Sequence, residues 1–360
     1  MDILEFFYEN SFAKQRIHPR RVALGKSSHI LLSGTKYSGK RSLVQDHAQK
    51  HCTPNKTLFI DFEDTRADKE YIINHINKFI HEKGIATLIY YAYTPDIPLP
   101  QVNSIILISH HNIDIDGFKK YSLKNLDFEE YLVFEKKSDP KTAFNNFLKH
   151  GNFPIVAKVE EFRKDKRFQE LLQLIFKEDF TIFKEILFFQ AHAVSSYFLF
   201  NQIKKSHKIS KDRFYELFYQ WERDGYIKAL PKWGAKRAAK KIYFFDFTLT
   251  SKVTLKKEFP KSFENMVVLE IDEDEAYYLE PLGIYLPRKE EIIVAIPFGD
   301  AVRIQQKIDA ILKKNDLVLK KITIITIATS YRYEIDTILC EVVPFYEWAL
   351  GKDRDDMWDR

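Results

Sequence analysis

Cysteine is almost absent. Cys52 and Cys340 are the only two, they lie far apart and form no C-x-x-C pair, so neither a disulfide framework nor a thiolate metal site is predicted. Long hydrophobic runs are missing as well: no apolar stretch approaches the ~20 residues that a membrane span requires. Residues 1–12 lack a basic segment followed by an apolar core. Secretion and membrane insertion are therefore not expected, and a reducing cytoplasm is the expected compartment. The chain also lacks a strong excess of one charge. Its formal net charge of +5 is small for 360 residues, so a nucleic-acid partner has to be argued from local clusters.

What is abundant is apolar and aromatic material. Hydrophobic residues make up 45% of the chain, with 30 Phe and 19 Tyr, which is enough for packed cores and argues against extended disorder. At 360 residues the chain exceeds what one core usually holds, so two or three domains are predicted.

The short apolar run Ser28–Ser33 leads directly into Gly34-Thr35-Lys36-Tyr37-Ser38-Gly39-Lys40-Arg41-Ser42, followed by helix-favouring residues through Gln49. Strand, glycine loop and helix in this order match the pattern G-x-x-x-x-G-K. The glycines let the backbone curl so that successive N–H groups face a phosphate. The helix N-terminus adds partial positive charge, and Lys40 reaches the β and γ oxygens. The position after the lysine normally holds Ser or Thr, whose hydroxyl binds Mg²⁺. Here it is Arg41, and Ser42 is turned about 100° away on a helix, which leaves the Mg²⁺ ligand open. Arg41 is a candidate to set its guanidinium against phosphate oxygens in the cation's place.

A parallel-sheet ATPase also needs an acidic strand end for the metal and the attacking water. Thr57–Asp64 ends in Asp61, Glu63 and Asp64, but it follows the loop helix closely, as the strand adjacent to the loop strand would. Thr87–Tyr93 stands where the acidic motif should fall and offers no carboxylate until Asp96. Hydrolysis is therefore expected to be weak or absent, and no catalytic residue is assigned. The next strand, Ser104–His111, ends in Ser109, His110 and His111. Ser109 is a candidate sensor of a γ-phosphate, and the two histidines read as exposed loop residues with no acidic partner at metal-ligand spacing.

Several further stretches, in order, carry a family likeness: the loop Gly34–Ser42, the strand ending at Ser109, Tyr121–Tyr131, the turn Phe147–Pro154, and Phe263–Glu270. Together they resemble the bacterial and archaeal AAA-type ATP-binding proteins that carry a winged-helix segment and a C-terminal nuclease-like domain. The resemblance implies a P-loop domain binding ATP and a capacity to assemble into homo-oligomers. The departures are in the chemistry. Where the family's second ATPase motif reads Leu-Asp-Glu, this sequence has Tyr90, Tyr91 and Ala92. Where its last domain keeps a Glu-x-Asp strand and a Glu-x-Lys strand, this one has Leu282–Pro287 and Ile293–Pro297. Nuclease chemistry is expected to be erased, and no metal site is assigned.

In the middle of the chain, Phe180–Gln190, Ser195–Lys205 and Ser210–Gly225 read as helices. Ser210 is placed to cap the last of them, and Phe214, Leu217, Phe218 and Trp221 recur on one face. The following residues 226–246 read as two β-arms around a loop carrying Lys232, Lys236, Arg237, Lys240 and Lys241, with Trp233 among them. This resembles a winged helix-turn-helix. The basic hairpin is a candidate contact for DNA phosphates, and the same features suit a protein-docking module or a solvated loop. From Met266 onward apolar runs read as an α/β domain, with Val267–Ile271 among its strand-like stretches. Its acidic run Asp272–Glu275 reads as a solvated turn.

The predicted fold class is α/β: a P-loop AAA-type nucleotide-binding domain (residues 1–135), a helical extension (136–178), a winged-helix segment (179–262), a restriction-endonuclease-like α/β domain without catalytic residues (263–350), and a charged tail (351–360). The leading function is nucleotide binding, with ATP as the expected ligand. The alternative is a non-enzymatic nucleic-acid or protein-docking module that uses the basic hairpin.

Overall fold

The structure is a computed structural model that describes residues 2–10, 17–135 and 139–355, without the side chains of 352–355. The charged tail, 351–360, lies outside that description or at its edge. Two compact units divide the chain: Met1–Asn125 with Arg223–Gly225, and Leu126–Glu222 with Tyr226–Arg360. No helix among the described residues is long and apolar enough to cross a membrane.

The first unit holds α1 (Ile3–Glu9), β1 (His29–Ser33), α2 (Lys40–His51), β2 (Thr57–Asp61), α3 (Lys69–Lys83), β3 (Thr87–Tyr91), β4 (Ser104–Ile108) and β5 (Lys119–Ser122). The strands form one sheet in the order β2-β3-β4-β1-β5, and every neighbouring pair is parallel. Continuous apolar runs such as Ile30-Leu31-Leu32 suit a sheet covered on both faces. One face, with Leu31, Leu58, Leu88 and Leu107, packs on α1 and α3 through Leu4, Phe7, Ile72 and Ile76. The other, with Ile30, Leu32, Phe59, Ile89 and Ile106, packs on α2 through Leu43, Val44 and Ala48. Asp68 starts α3 by accepting a hydrogen bond from the Tyr71 N–H.

Two features of this sheet differ from the sequence reading. β2 is not next to the loop strand; β3 and β4 lie between them, because the first crossover carries the chain from β1 out to the sheet edge and the next two bring it back inward until β4 pairs with β1. β5 has no counterpart in that reading, since Lys119-Lys120-Tyr121-Ser122 is a polar edge strand with one neighbour and no apolar alternation.

The second unit begins with α4 (Phe128–Glu135), α5 (Pro140–His150), α6 (Pro154–Ala157), α7 (Lys164–Phe176) and α8 (Phe180–Leu187). It continues with β6 (His192–Val194), α9 (Ser196–Ile203), α10 (Lys211–Arg223), β7 (Ile227–Leu230), β8 (Lys240–Phe244) and α11 (Leu249–Val253). β6, β8 and β7 form an antiparallel three-stranded sheet in that order. Then come α12 (Phe259–Glu270), β9 (Tyr277–Tyr278), β10 (Ile284–Leu286), β11 (Glu291–Ala295), α13 (Ala301–Lys314), β12 (Lys321–Thr326), β13 (Tyr331–Ile335), β14 (Ile338–Pro344) and α14 (Phe345–Asp355). These strands form a mixed sheet in the order β13-β14-β12-β11-β10-β9, parallel at β11–β12 and β12–β14 and antiparallel elsewhere. α13 covers one face through Ile304, Ile308 and Ile311. Phe263, Met266, Val267 and Phe345 cover the other, with Phe128, Phe144 and Phe147 in the same cluster. Val267–Ile271 is thus helical up to Glu270 rather than strand-like, its valines buried as part of a helix packed on several sides.

Two buried polar groups lock this unit. Asp246, fully buried, accepts from the Asn152 N–H at 2.8 Å and from the N–H and hydroxyl of Thr248 at 2.7 and 2.6 Å. Gly151 (φ 80°) lies so close that a Cβ there would sit 2.3 Å from the Asp246 carboxylate, so only glycine fits the turn. Asn265 behaves like a strand neighbour: its amide donates to the Phe244 carbonyl and its oxygen accepts from the Phe244 N–H, both at 2.8 Å. The turn Phe147–Pro154 and the helix carrying Asn265, both singled out in the sequence, are therefore points where helices are pinned to the end of β8.

Candidate phosphate-binding site

The loop between β1 and α2 lies at the C-terminal end of the parallel sheet, where a glycine curl meets a helix N-terminus. This arrangement is consistent with the P-loop fold expected from the motif. Gly34 and Gly39 take φ values of 143° and 99°, and Tyr37 between them also has positive φ, at 63°. At Gly34 a Cβ would come within 2.2 Å of the Leu123 carbonyl oxygen, so the approach of the segment after β5 demands glycine. Arg20 braces the loop from outside, donating to the carbonyls of Ser38 at 2.6 Å and Lys124 at 2.9 Å. No sequence signal marks Arg20, which lies in an irregular segment well before the motif.

Lys40 is 3% exposed, and its ammonium donates to the carbonyls of Gly34 and Thr35, both at 2.6 Å. Burial lowers its pKa to about 7, and the Glu63 carboxylate opposes that shift. The lysine is thus folded back over its own loop. The hydroxyls of Thr35 and Ser38, and of Ser33 at the end of β1, are buried without a hydrogen-bond partner among the described residues. Buried hydroxyls left unsatisfied cost stability. Their gathering around the loop fits an oxygen-rich anionic ligand that would engage them.

The metal side of the site is built differently. Arg41 donates to the Asp61 carboxylate at 2.7 Å, and its guanidinium lies over the rings of Phe59 and Tyr91 at 4.9 and 5.5 Å. It therefore extends toward the ends of β2 and β3 and is already partnered by a carboxylate. Ser42 is on the exposed face of α2. β3 ends in Tyr90 and Tyr91, whose hydroxyls burial pushes far up, so neither supplies an anionic oxygen. Among the described residues, no group of three or more His, Cys, Asp or Glu side chains could hold a metal ion. The position after Lys40 therefore offers no hydroxyl to Mg²⁺, and the carboxylates beside it, Asp61 and Glu63, are paired with Arg41 and Lys36.

The carboxylate nearest the loop comes from just past β2. Glu63 accepts from the Lys36 ammonium at 2.6 Å and lies 3.4 Å from His110 Nε2, and the bond to His110 and then that to Lys36 hold its pKa down at about 2. His110 is buried beside the Tyr91 ring, and burial lowers its pKa, so it is neutral at pH 7. This corrects the reading of both histidines as exposed loop residues, which holds only for His111. Ser109 is fully buried, and its hydroxyl accepts from the His111 N–H at 3.0 Å, so at the end of β4 it is engaged in a turn and His110 is the side chain facing Glu63.

The hairpin residues belong to the second unit, and most are neutralised. Lys232 pairs with Glu280 at 3.1 Å, Lys240 with Glu222 at 2.8 Å and Lys241 with Glu264 at 2.5 Å. Lys236 and Arg237 have no carboxylate partner among the described residues. Trp233 packs edge-on against Tyr277 and Tyr285. The acidic run is likewise paired, Glu273 with Lys289 at 2.8 Å and Glu275 with Arg288 at 3.2 Å.

No family model and no curated protein matches this chain. Among solved structures it is similar to a Walker-type ATPase of Pyrococcus abyssi, at 14% identity and a TM-score of 0.43, over 63% of this chain and 91% of that one. It is also similar to the Aeropyrum pernix ORC1 protein, solved in complex with DNA, at 10% identity and a TM-score of 0.32, over 64% of this chain and 87% of that one. With overlaps this loose, the assignment rests on the loop's own residues.

Proposed function

We propose that this protein binds a nucleotide, with ATP as the leading ligand, through Gly34–Ser42, and that it turns the nucleotide over weakly or not at all. The observation that carries the reading is the buried Lys40 ammonium, held on two loop carbonyls beside buried hydroxyls that have no partner among the described residues. Binding is assigned to the backbone N–H groups of the loop, Lys40, and the hydroxyls of Thr35 and Ser38. The Arg41–Asp61 pair supports binding that does not need Mg²⁺, and the lack of a carboxylate at the end of β3 supports weak hydrolysis.

For the remaining segments, α8, α9, α10 and the hairpin β7–β8 support a winged-helix reading of 179–262. The order α12, β9–β10–β11, α13, β12 supports a nuclease-like reading of 263–350. The carboxylates on its strands support a scaffold rather than a cutting centre: Glu291 is bonded by the Thr323 hydroxyl, and Glu341 is paired with Lys321 and Arg332.

The test is titration of a fluorescent ATP analogue into wild-type protein, Lys40→Ala and Arg41→Ser, with and without Mg²⁺. Wild type is expected to bind equally with and without the metal, Lys40→Ala to lose binding, and Arg41→Ser to gain a preference for Mg²⁺. Tight binding by Lys40→Ala would sink the assignment, and strict dependence of the wild type on Mg²⁺ would sink the role given to Arg41.

A further inference from the structure

The mixed sheet of the second unit has two edges, and one of them is closed. At the β9 edge the chain between β7 and β8 lies alongside: the Tyr278 N–H donates to the Pro231 carbonyl at 2.9 Å, and the Trp233 N–H donates to the Tyr278 carbonyl at 3.1 Å. At the other edge, β13 has β14 as its one neighbour among the described residues. Only Asp336 and Thr337 separate these two strands, so Ile335 and Ile338 close a tight hairpin as a hydrogen-bonded pair. The alternation that follows turns the N–H and C=O groups of Tyr331, Tyr333 and Ile335 toward β14. Those of Arg332 and Glu334 point outward, as the unpaired row of an edge strand.

The side chains of this edge match a copy of themselves. When two β13 strands run antiparallel about a two-fold axis at Tyr333, Arg332 of each lies opposite Glu334 of the other, and Tyr331 lies opposite Ile335. Arg332 and Glu334 are both exposed. Arg332 donates to Glu341 at 2.8 Å, but Glu341 is also paired with Lys321 at 2.8 Å, so two cations share one carboxylate. Glu334 has no cationic partner among the described residues. A second copy supplies both missing partners, an acid for the surplus cation and a cation for the lone acid. Charges on an edge also serve to keep strands apart, a role filled by lysine, proline or a bulge. Here the two signs are opposite, and the two-fold makes both cross-strand pairs attractive.

The other face of the edge is open as well. Tyr331, Tyr333 and Ile335 pack toward α13, and a cleft of about 400 Å³ separates the two tyrosines from Ala301, Val302 and Gln305. The hydroxyls of Tyr331 and Tyr333 are buried without a hydrogen-bond partner among the described residues, while Val302 beside them is 66% exposed.

We propose that two copies of this protein join through β13, edge to edge and antiparallel, so that their mixed sheets become continuous. The outward backbone groups of Arg332 and Glu334 pair with those of Glu334 and Arg332 in the second copy, and the second copy's Tyr333 stands beside Tyr333 across the axis, against the open cleft. Stable interfaces bury at least ~1,200 Å² in total, more than a short strand pair provides, so α13 with Val302 takes part beside the strands. Charge complementarity selects this occupant: a strand of another protein would need an acid, an apolar residue and a base in register with Arg332, Tyr333 and Glu334, and this chain carries that set itself. The contact lies within the second unit and depends neither on the phosphate loop nor on a nucleotide.

The experiment is sedimentation of the full chain over a concentration series without nucleotide, comparing wild type, Arg332→Glu, Glu334→Arg, an equimolar mixture of the two variants, and the double variant Arg332→Glu/Glu334→Arg. The wild type is expected to pass from monomer to dimer as concentration rises. Each single variant sets like charges opposite each other twice in the dimer and is expected to self-associate at least ~30-fold more weakly. In the mixture, and in the double variant, every cross-strand pair is again opposite in sign, so dimerisation is expected to return to within ~10-fold of the wild type. Circular dichroism checks that each variant is folded, and Glu334→Arg disturbs no ion pair of the single chain. A wild type that stays monomeric, a Glu334→Arg variant that dimerises as the wild type does, or folded variants whose mixture stays monomeric would each overturn the proposal.

Discussion

The two large sheets differ in where they leave buried polar groups unpaired. In the parallel sheet of the first unit, the end of β1 and the loop after it include three buried hydroxyls with no partner among the described residues and a buried lysine resting on carbonyls. In the mixed sheet of the second unit, Glu291 and Glu341 are bonded to neighbours on the sheet, and behind it Asp246 and Asn265 are satisfied by backbone groups, while the hydroxyls of Tyr331 and Tyr333 on the edge strand β13 are buried without a hydrogen-bond partner among the described residues. Groups left unsatisfied hold hydrogen-bonding capacity for something else, and at the loop three of them accompany a buried ammonium. The cation beside those hydroxyls is what supports the proposed phosphate binding in the first unit.

The largest test of that contrast is at Asp246. Asp246→Ala leaves the Asn152 and Thr248 N–H groups buried without an acceptor, and a loss of about 3 kcal/mol is expected from stranding several donors. Denaturant melts should show the second unit weakened, while nucleotide binding by the first is retained. If the variant melts like the wild type, the satisfied interior is not what holds the unit together.

At the loop the expected effect is on binding. Lys40→Ala should weaken the fluorescent nucleotide by roughly 100-fold, about 2.7 kcal/mol, in the range expected when a charge-assisted hydrogen bond is removed from a buried site. Thermal unfolding of the first unit should not suffer, since the substitution removes a buried amine whose charged form is disfavoured.

The protonation of that amine gives the next effect. Its pKa falls from the ordinary 10.5 to about 7 on folding. Between those values the unfolded chain holds a proton that the folded chain has released, so raising the pH from 7 toward 10.5 favours folding, and the penalty for burying the charge is fully present only below pH 7. Binding runs the other way, because an anionic ligand needs the ammonium. Apparent affinity should fall as pH rises from 7 to 9, by up to about tenfold per unit, while the melting temperature of the unliganded protein rises. Parallel rather than opposite trends would show that Lys40 does not control both.

Much of this was legible in the sequence, and the limits are physical. The G-x-x-x-x-G-K spacing between an apolar strand and a helix was enough to place the loop, because glycine and lysine at fixed offsets have few other uses. The stripe Phe214-Leu217-Phe218-Trp221 likewise gave α10 its buried face. Strand order was not legible: that β2 lies at the sheet's edge depends on crossovers between runs of similar apolarity. Nor was the partner of Arg41, since Asp61 is brought to it across the strand ends from 20 residues away. Arg20 carries no local pattern at all, and the burial of His110 comes from Tyr91 on a neighbouring strand. Charge pairing was also hidden, so all five hairpin cations stood as candidates, although Glu222, Glu264 and Glu280 neutralise three of them.

The smallest effect is the most specific to the contrast between the sheets. The Ser38 hydroxyl is fully buried and has no hydrogen-bond partner among the described residues. Ser38→Ala removes that oxygen and nothing else of size. If the loop is a structural turn, the hydroxyl is a defect, and the variant should gain up to about 1 kcal/mol of stability with no change in nucleotide affinity. If the loop receives phosphate, the variant should gain the same stability and bind about 3- to 10-fold more weakly, since it has lost a bond made only with the ligand present. A buried hydroxyl in the second unit gives the control: Thr248→Val strips a donor from Asp246, so it should cost stability and leave binding untouched. Gain at one site and loss at the other, read in the same melting and titration series, is what the difference between the two sheets requires.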